Sequence, residues 1–395
     1  MAGYEEQSIM QLLSQMEQGT LTSEQLTVWY LSRIERYDRG ENGLNSVLEQ
    51  NPDALFQAKE CDRERAQGRL AGPLHGIPIL IKDNLNTADQ MHTSAGSLAL
   101  ACSRAAEDAE IVRRLRQAGA VLLGKTNMTE FANYISMENM PNGYSSRGGQ
   151  VFHPYGRQFD PSGSSTGSGV AVSANFCSVA VGTDTCASVY SPAQSNGIVG
   201  LRPSVGSVSQ QGILPICDTL DTAGPMARTV EDAALLYHVM ADPEHKILPF
   251  GGIKTFFAQA SLSGKRIGVC RAKKMCESEE ALFQKVLSSL QELGAQVSEL
   301  PQPQARFTPG DIMKYEFKRC MDAYLAALPQ FPLKALEDLM DYNRAHAHEA
   351  LRYGQGLFEE ALECAKDENG YRRVLQAVWE DRKRAYQVLE SYDAV

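Results

Sequence analysis

The sequence predicts an α/β fold: a mixed, mostly parallel central sheet flanked by helices, with a mostly helical C-terminal portion. Three observations carry this. Ile77–Ile81 and Ala120–Gly124 are short apolar runs without the alternation of a half-exposed strand, so both faces of each are expected to be covered. An amphipathic helix lies between them, with Ile111, Leu115 and Ala118 on one face, and a strand–helix–strand order pairs strands in parallel through a right-handed crossover. From Asp311 onward the pattern is helical and richly charged. One domain is expected over residues 1–395, with a helical part at 1–70, a core at 71–240 and a mostly helical part at 241–395.

The elements follow in order. Ile9, Leu12, Leu13 and Met16 recur at helical spacing until Gly19 stops the run. Thr22-Ser23-Glu24-Gln25 reads as a capping box ahead of Leu26, Trp29, Tyr30 and Ile34. Asn51-Pro52 is expected to open a third helix, since proline is tolerated in a first turn. Lys82-Asp83-Asn84 ends the first buried strand. Asp108 is expected to cap the helix that follows, and Asn127–Glu130 to cap a short helix after the second strand. Residues 136–160 lack periodicity and hold Gly, Pro, Asn and Tyr. A long irregular segment inside a domain is usually functional, often a binding rim. Ile198–Leu201 and Val205–Val208 read as short extended pieces, and Thr229 caps a helix through Leu235 and Val239. Residues 241–263 lose the pattern and are expected to form an excursion or lid. Arg266–Cys270 and Gln296–Leu300 read as strands on either side of a helix capped by Ser278 and closed by Gly294. Tyr392–Val395 reads as the start of another strand.

Composition excludes several classes of function. The chain has 395 residues, 43% hydrophobic and 22% charged, with a net charge of −10 and no Lys/Arg run, which argues against a nucleic-acid or anionic-membrane surface. Its nine cysteines are odd in number and scattered without a CxxC, and the only close histidine pair is His346 and His348. That pattern speaks against a disulfide framework or a zinc site and for reduced thiols in a cytoplasmic protein. No basic, then apolar, leader is evident at the N-terminus, and no apolar run reaches membrane-spanning length.

Chemistry concentrates in Phe159–Ala193, where two small-residue turns, Gly163–Gly167 and Thr185–Ser188, flank an apolar segment. A flexible linker is opposed by the apolar flanks. A phosphate loop needs a Lys-Ser/Thr that GSSTGSG lacks. Gly163-x-Ser165-x-Gly167 fits a nucleophile elbow, but that motif needs a strand just before it and an acid and a histidine after it. HPYGRQFDPS is no strand, and His238 and His245 fall in a helix and a loop of no special character. The fourth reading is a Ser–Ser–Lys arrangement. A serine hydroxyl needs a base beside it. Lys82 ends an apolar strand; such a lysine ordinarily snorkels to water, but if buried its pKa falls and leaves neutral amine. A second serine would relay the proton, and backbone N–H groups of a turn would hold an oxyanion.

Six segments in a fixed order resemble the amidase signature family: GIPILIKDN ending at Asn84, GKTNMTEF at 124–131, GSSTGSG from Gly163, GTDTCASVYSPA from Gly182, GIVGLRPSVGSVSQQGILP from Gly197 and DTAGPMARTVEDA from Asp221. TSAGS at 93–97, MPNGYSSRGGQ at 140–150 and DTAGPMAR at 221–228 are nearest in texture to bacterial peptide-amidase-type members. The resemblance covers about residues 8–395 and implies the amidase signature fold, with a catalytic core at 71–240. It implies amide hydrolysis through a seryl acyl-enzyme, releasing ammonia or an amine, with no metal or organic cofactor. The substrate would be a small-molecule or peptide amide. By motif, Ser188 falls at the nucleophile, Ser164 at the cis-serine after Gly163, and Lys82 at the base; the serine spacing, 188 − 164 = 24, agrees with the family. Thr185, Cys186 and Ala187, with Asp184, fall at the oxyanion and substrate-binding turn.

The chain departs from the family pattern at that turn, where Cys186 and Ala187 stand in place of glycines, and at Thr166, where glycine is usual. Family members also continue past the equivalent of Val395, so an early C-terminus is expected. Asp83 and Asn84 are candidates to orient Lys82, Asp184 to brace the turn, and Tyr144 and Arg147 to line the substrate mouth. Cys186 lacks a thiolate-stabilising neighbour and is left beside the nucleophile. Two rival readings stand: an acyltransferase that passes the acyl group to an amine, and a non-catalytic scaffold. Neither nucleic acid nor membrane is expected as a partner, and the sequence is compatible with a homodimer.

Overall fold

The two apolar runs pair with each other, as their burial requires. The computed structural model describes residues 3–246, 252–271, 274–301 and 305–395. These fall into two compact units, one of Met1–Phe250 with Met313–Lys366, the other of Gly251–Ile312 with Asp367–Val395.

The first unit holds a six-stranded sheet. Its strands are β1 (Val47–Gln50), β2 (Pro78–Lys82) and β3 (Val121–Thr126), then, beyond a small hairpin of β4 (Tyr144–Ser145) and β5 (Gly149–Gln150), β6 (Val179–Asp184), β7 (Val199–Gly200) and β8 (Thr222–Ala227). The order is β1-β3-β2-β6-β8-β7. β2 lies between β3 and β6, parallel to both, while β1 and β8 run antiparallel to their neighbours. The sheet is therefore mixed, with β2, β3, β6 and β7 all pointing one way. Every residue of β2, β3, β6 and β8 is buried, which is why these strands read as unbroken apolar or small-residue runs. Helices supply the cover: Ser23–Tyr37 and Thr166–Ser173 pack on β2, and Val230–Met240 packs on β8.

Several local expectations hold. Thr22 closes its capping box with Gln25, and Thr229 caps its helix by accepting the Asp232 N–H; Ser8 and Gln11 form a further capping box that was not expected. Others are corrected. Asn51 opens no helix; its side chain ties to Leu122 O at 2.8 Å, and the helix begins at Ala54. Asp108 is drawn to the Ala88 N–H at 2.7 Å and to Arg116 at 3.0 Å, so Ala109 becomes the cap. Val205–Val208 is a turn and bend, not extended chain. Glu130–Asn133 is a tight turn in which Phe131, Ala132 and Asn133 take φ of +46°, +53° and +70°. Of the expected excursion at 241–263, residues 247–251 lie outside the described residues; the rest includes a short 3₁₀ turn at Pro243–His245 and a helix at Gly252–Gln259.

In the second unit, β9 (Arg266–Cys270) and β10 (Gln296–Leu300) pair in parallel around the helix Glu277–Glu292. That helix starts ahead of Ser278, where the Glu279 carboxylate accepts the Cys276 N–H at 2.8 Å. Ala394 forms a parallel bridge to Ile267, so the chain is extended there as expected. Among the described residues, no helix is long and apolar enough to cross a membrane, and no cluster of His, Cys, Asp or Glu is arranged to hold a metal.

Candidate active site

Three elements of the first unit converge on Lys82. It is the last residue of β2, the strand hydrogen-bonded on both sides, and it is 0% exposed. The snorkelling alternative is thereby excluded. Its Nζ donates to Ser164 Oγ at 2.8 Å, Ser165 Oγ at 3.0 Å and Thr183 Oγ1 at 2.9 Å, with Thr183 O at 3.3 Å. Burial pulls the lysine down to about 7, against the opposing pull of Asp184 and Asp221. At neutral pH a large share of this amine is unprotonated.

Ser164 follows a cis Gly163–Ser164 peptide and stands just ahead of the helix Thr166–Ser173. No strand precedes it, so the nucleophile-elbow reading of Ser165 lacks its structural context. Ser165 is instead a bracket. Its Oγ donates to Thr183 O at 3.0 Å, and its N–H donates to Ser188 O at 3.2 Å. This second bond ties the Ser188 turn to the serine pair beside the lysine. Ser188 itself is 8% exposed, and its hydroxyl has no hydrogen-bond partner among the described residues.

β6 delivers the turn. At its end Thr183 faces Lys82, while Asp184 folds under the segment that follows, accepting the Ala187 N–H at 3.0 Å and the Val189 N–H at 2.7 Å. Arg202 closes this bracket: it pairs with the Asp184 carboxylate and donates to Asp184 O and Leu220 O, both at 2.8 Å. Thr185 is pinned by its hydroxyl to Asp221 Oδ1 at 2.5 Å. The Ala187 N–H is thus already committed, whereas those of Cys186 and Ser188 make no hydrogen bond among the described residues. Ala187 has φ of +76°, the left-handed region that favours glycine, at the position where glycine is usual in the resembled family. The exposed Cys186 thiol is pushed up by burial of its surroundings and by Asp184, which keeps it protonated at neutral pH.

The remaining candidates separate. Asp83 turns away from Lys82, accepting the Gly96 N–H at 3.0 Å and facing Lys125 and Arg147. Asn84 does not touch Lys82 either; it donates to Thr183 Oγ1 at 2.9 Å and so supports the lysine at one remove. Arg147 is held in a network with Glu49 at 2.6 Å and Ser94 at 2.9 Å. Tyr144 stacks edge-on to Tyr353 at 5.0 Å. Neither is a loose side chain at a mouth. Three residues of the site went unread in the sequence, Thr183, Arg202 and Asp221, and so did a second buried lysine outside it, Lys125. Lys125 is 0% exposed and lowered to about 8 by burial, bonded to Leu85 O at 2.6 Å and Thr93 Oγ1 at 3.0 Å. The signal for it was its place in a strand as apolar as that of Lys82.

Comparison with known proteins shows what the chain as a whole is similar to. The amidase family profile matches residues 25–395. A probable amidase of Arabidopsis thaliana is 38% identical over 359 residues, spanning 86% of this chain and 68% of that protein. The native peptide amidase of Stenotrophomonas maltophilia superposes with a TM-score of 0.86 at 43% identity, covering 94% of this chain and 78% of the other. A glutamyl-tRNA(Gln) amidotransferase polypeptide of Symbiobacterium thermophilum is 36% identical over 303 residues, 73% of this chain and 59% of that one. The chain thus spans between about half and two thirds of the length of such curated relatives.

Proposed function

The chain belongs to the amidase family, and from that premise we propose that it hydrolyses a carboxamide through an acyl-enzyme on Ser188. The observation that carries this reading is the 2.8 Å contact between a fully buried lysine and the Ser164 hydroxyl. Ser188 Oγ attacks the amide carbonyl while its proton passes to Ser164, whose own proton moves to Lys82. Positioned proton transfer of this kind is worth about 10²–10⁴ in rate. The oxyanion lies against free backbone N–H groups of the turn, those of Cys186 and Ser188, each such donor contributing about 10²–10³. Lys82 then returns its proton through Ser164 to the leaving nitrogen, and ammonia or an amine departs. Water repeats the sequence on the ester and frees the acid.

The roles divide by support. Thr183 and Asn84 hold the base; Asp184, Arg202 and Asp221 hold the turn. The nine scattered cysteines, with no CxxC among them, fit a reducing, cytoplasmic setting. Likeness to an amidotransferase polypeptide keeps acyl transfer to an amine as the second reading; added amines would then divert the acyl group from acid to amide product. The deciding experiment is a panel of short-chain, aryl and peptide C-terminal amides with purified protein and its Ser188→Ala variant. Turnover unchanged by Ser188→Ala sinks the proposal.

A further inference from the structure

The irregular segment at 136–160, expected from the sequence to form a binding rim, walls a cavity of about 350 Å³; of the residues that line it, all but Pro161 belong to that segment. Small-molecule sites have volumes of this order. The walls are pinned from outside. Asp160 O accepts the Ser195 hydroxyl at 2.5 Å, Pro161 O accepts Asn196 Nδ2 at 3.0 Å, and Gln150 Nε2 donates to Asn142 O at 2.7 Å. Pro161 leads through Ser162 into the cis Gly163–Ser164 peptide, so the chain that forms this wall continues directly to Ser164.

One side chain of the lining is held without being neutralised. The Arg157 guanidinium carbon lies 3.9 Å from the centre of the Phe152 ring, and Nη2 donates to Glu41 O at 2.5 Å. Both contacts fix the group, and neither supplies a negative charge. Among the described residues no carboxylate pairs with Arg157, and its other guanidinium N–H groups have no acceptor. The one carboxylate among the described lining residues, Asp160, is engaged: it accepts the Ser162 N–H at 2.8 Å and Asn142 Nδ2 at 2.9 Å. An exposed arginine ordinarily gives up its rotamer freedom on binding a ligand; stacking on Phe152 has already removed much of it. The rest of the wall is largely apolar, with Pro141, Phe152, Phe159 and Pro161 upon it, and Phe159 is 51% exposed.

We infer that this cavity is a binding site for an aryl carboxylate. The planar guanidinium fork matches the two oxygens of a carboxylate, and the exposed Phe159 ring offers its face or edge to the ring of a ligand. An acid without a ring would leave the apolar wall wet, and a ring without an acid would leave the guanidinium unpaired. The two features together select the class. The inference stands on the cavity alone and does not depend on the hydrolysis proposed above.

Binding is read without turnover. Thermal unfolding of the purified protein is followed while sodium benzoate is titrated at fixed ionic strength, with sodium acetate, inorganic phosphate and benzyl alcohol in parallel. Benzoate is expected to raise Tm saturably, by about 2 °C at ten times its half-saturating concentration, and the other three to leave it unchanged there. Arg157→Met keeps an apolar stem but removes the fork, and is expected to raise the half-saturating concentration of benzoate by about tenfold or more. Phe159→Ala is expected to raise it by about threefold. An equal shift with acetate, phosphate or benzyl alcohol overturns the inference, because the ring or the charge would then be idle. A benzoate shift that is unchanged in Arg157→Met puts the binding elsewhere, the catalytic serine included, and overturns it too, as does the absence of any shift. If Arg157→Met does not fold, Phe159→Ala decides: an unchanged half-saturating concentration there rejects the site. Cleavage of amides with no binding of benzoate overturns this inference and leaves the proposed function standing.

Discussion

Lys82 Nζ and Ser164 Oγ lie 2.8 Å apart in a place where neither residue has exposed surface. A charge there is expensive, so protonation of this lysine and its reactivity are governed by the same burial. The two should therefore change together as pH is varied.

Activity should rise with pH through about 7, the value to which burial lowers Lys82. Below it the amine is protonated and cannot accept the Ser164 proton; above it the base is free. A kcat/KM profile whose acidic limb rises through about pH 7 is expected for wild-type protein. A flat profile from pH 5 to 9 would remove Lys82 from the chemistry.

The serines should differ in weight. Ser188→Ala is expected to lower kcat by about 10⁴-fold or more, and Ser164→Ala by about 10²–10⁴-fold, with KM little changed in either. A fluorophosphonate probe should label the wild type and Cys186→Ala but not Ser188→Ala. Absence of labelling in the wild type would favour the scaffold reading.

Relief of strain gives a stability test. Ala187 at φ +76° should be improved by Ala187→Gly, which is expected to stabilise the protein by about 1 kcal/mol in chemical denaturation. Cys186→Gly, at a residue without positive φ, should gain nothing. A loss of stability in Ala187→Gly would contradict the strained turn.

Asp184 is the keystone of that turn, with two backbone N–H groups and Arg202 upon it. Asp184→Asn should cost about 3 kcal/mol, because the fully buried carboxylate that accepts two backbone N–H groups and faces the partly buried Arg202 is lost. It should also lower kcat more than it raises KM. Comparable effects on both parameters would mean that the carboxylate supports binding alone.

The fold was legible where burial is two-sided. An unbroken apolar run marks β2, but it did not decide between snorkelling and burial for the lysine that ends it; Lys82 is buried. Spacing alone left Ser164, Ser165 and Ser188 undivided; family resemblance separated them. Thr183 and Asp221 were illegible because their importance arises across the sheet, where β6 pairs with β8 and sets Asp184 opposite Thr222. Local periodicity does not encode that register. The misread helix starts at Asp108 and Asn51 failed for a related reason: each side chain is claimed by a backbone group from elsewhere in the chain, the Ala88 N–H and Leu122 O.

The position of β2 between β3 and β6 has a consequence for motion. A strand bonded on both edges exchanges its amide hydrogens only when the whole sheet comes apart, while the N–H of the exposed Cys186, in the Thr185–Ser188 turn, makes no hydrogen bond among the described residues. The amide of Ile81 should therefore outlast that of Cys186 by orders of magnitude in deuterium exchange. The proposed base then lies in the slowest part of the structure and the proposed nucleophile in a faster one.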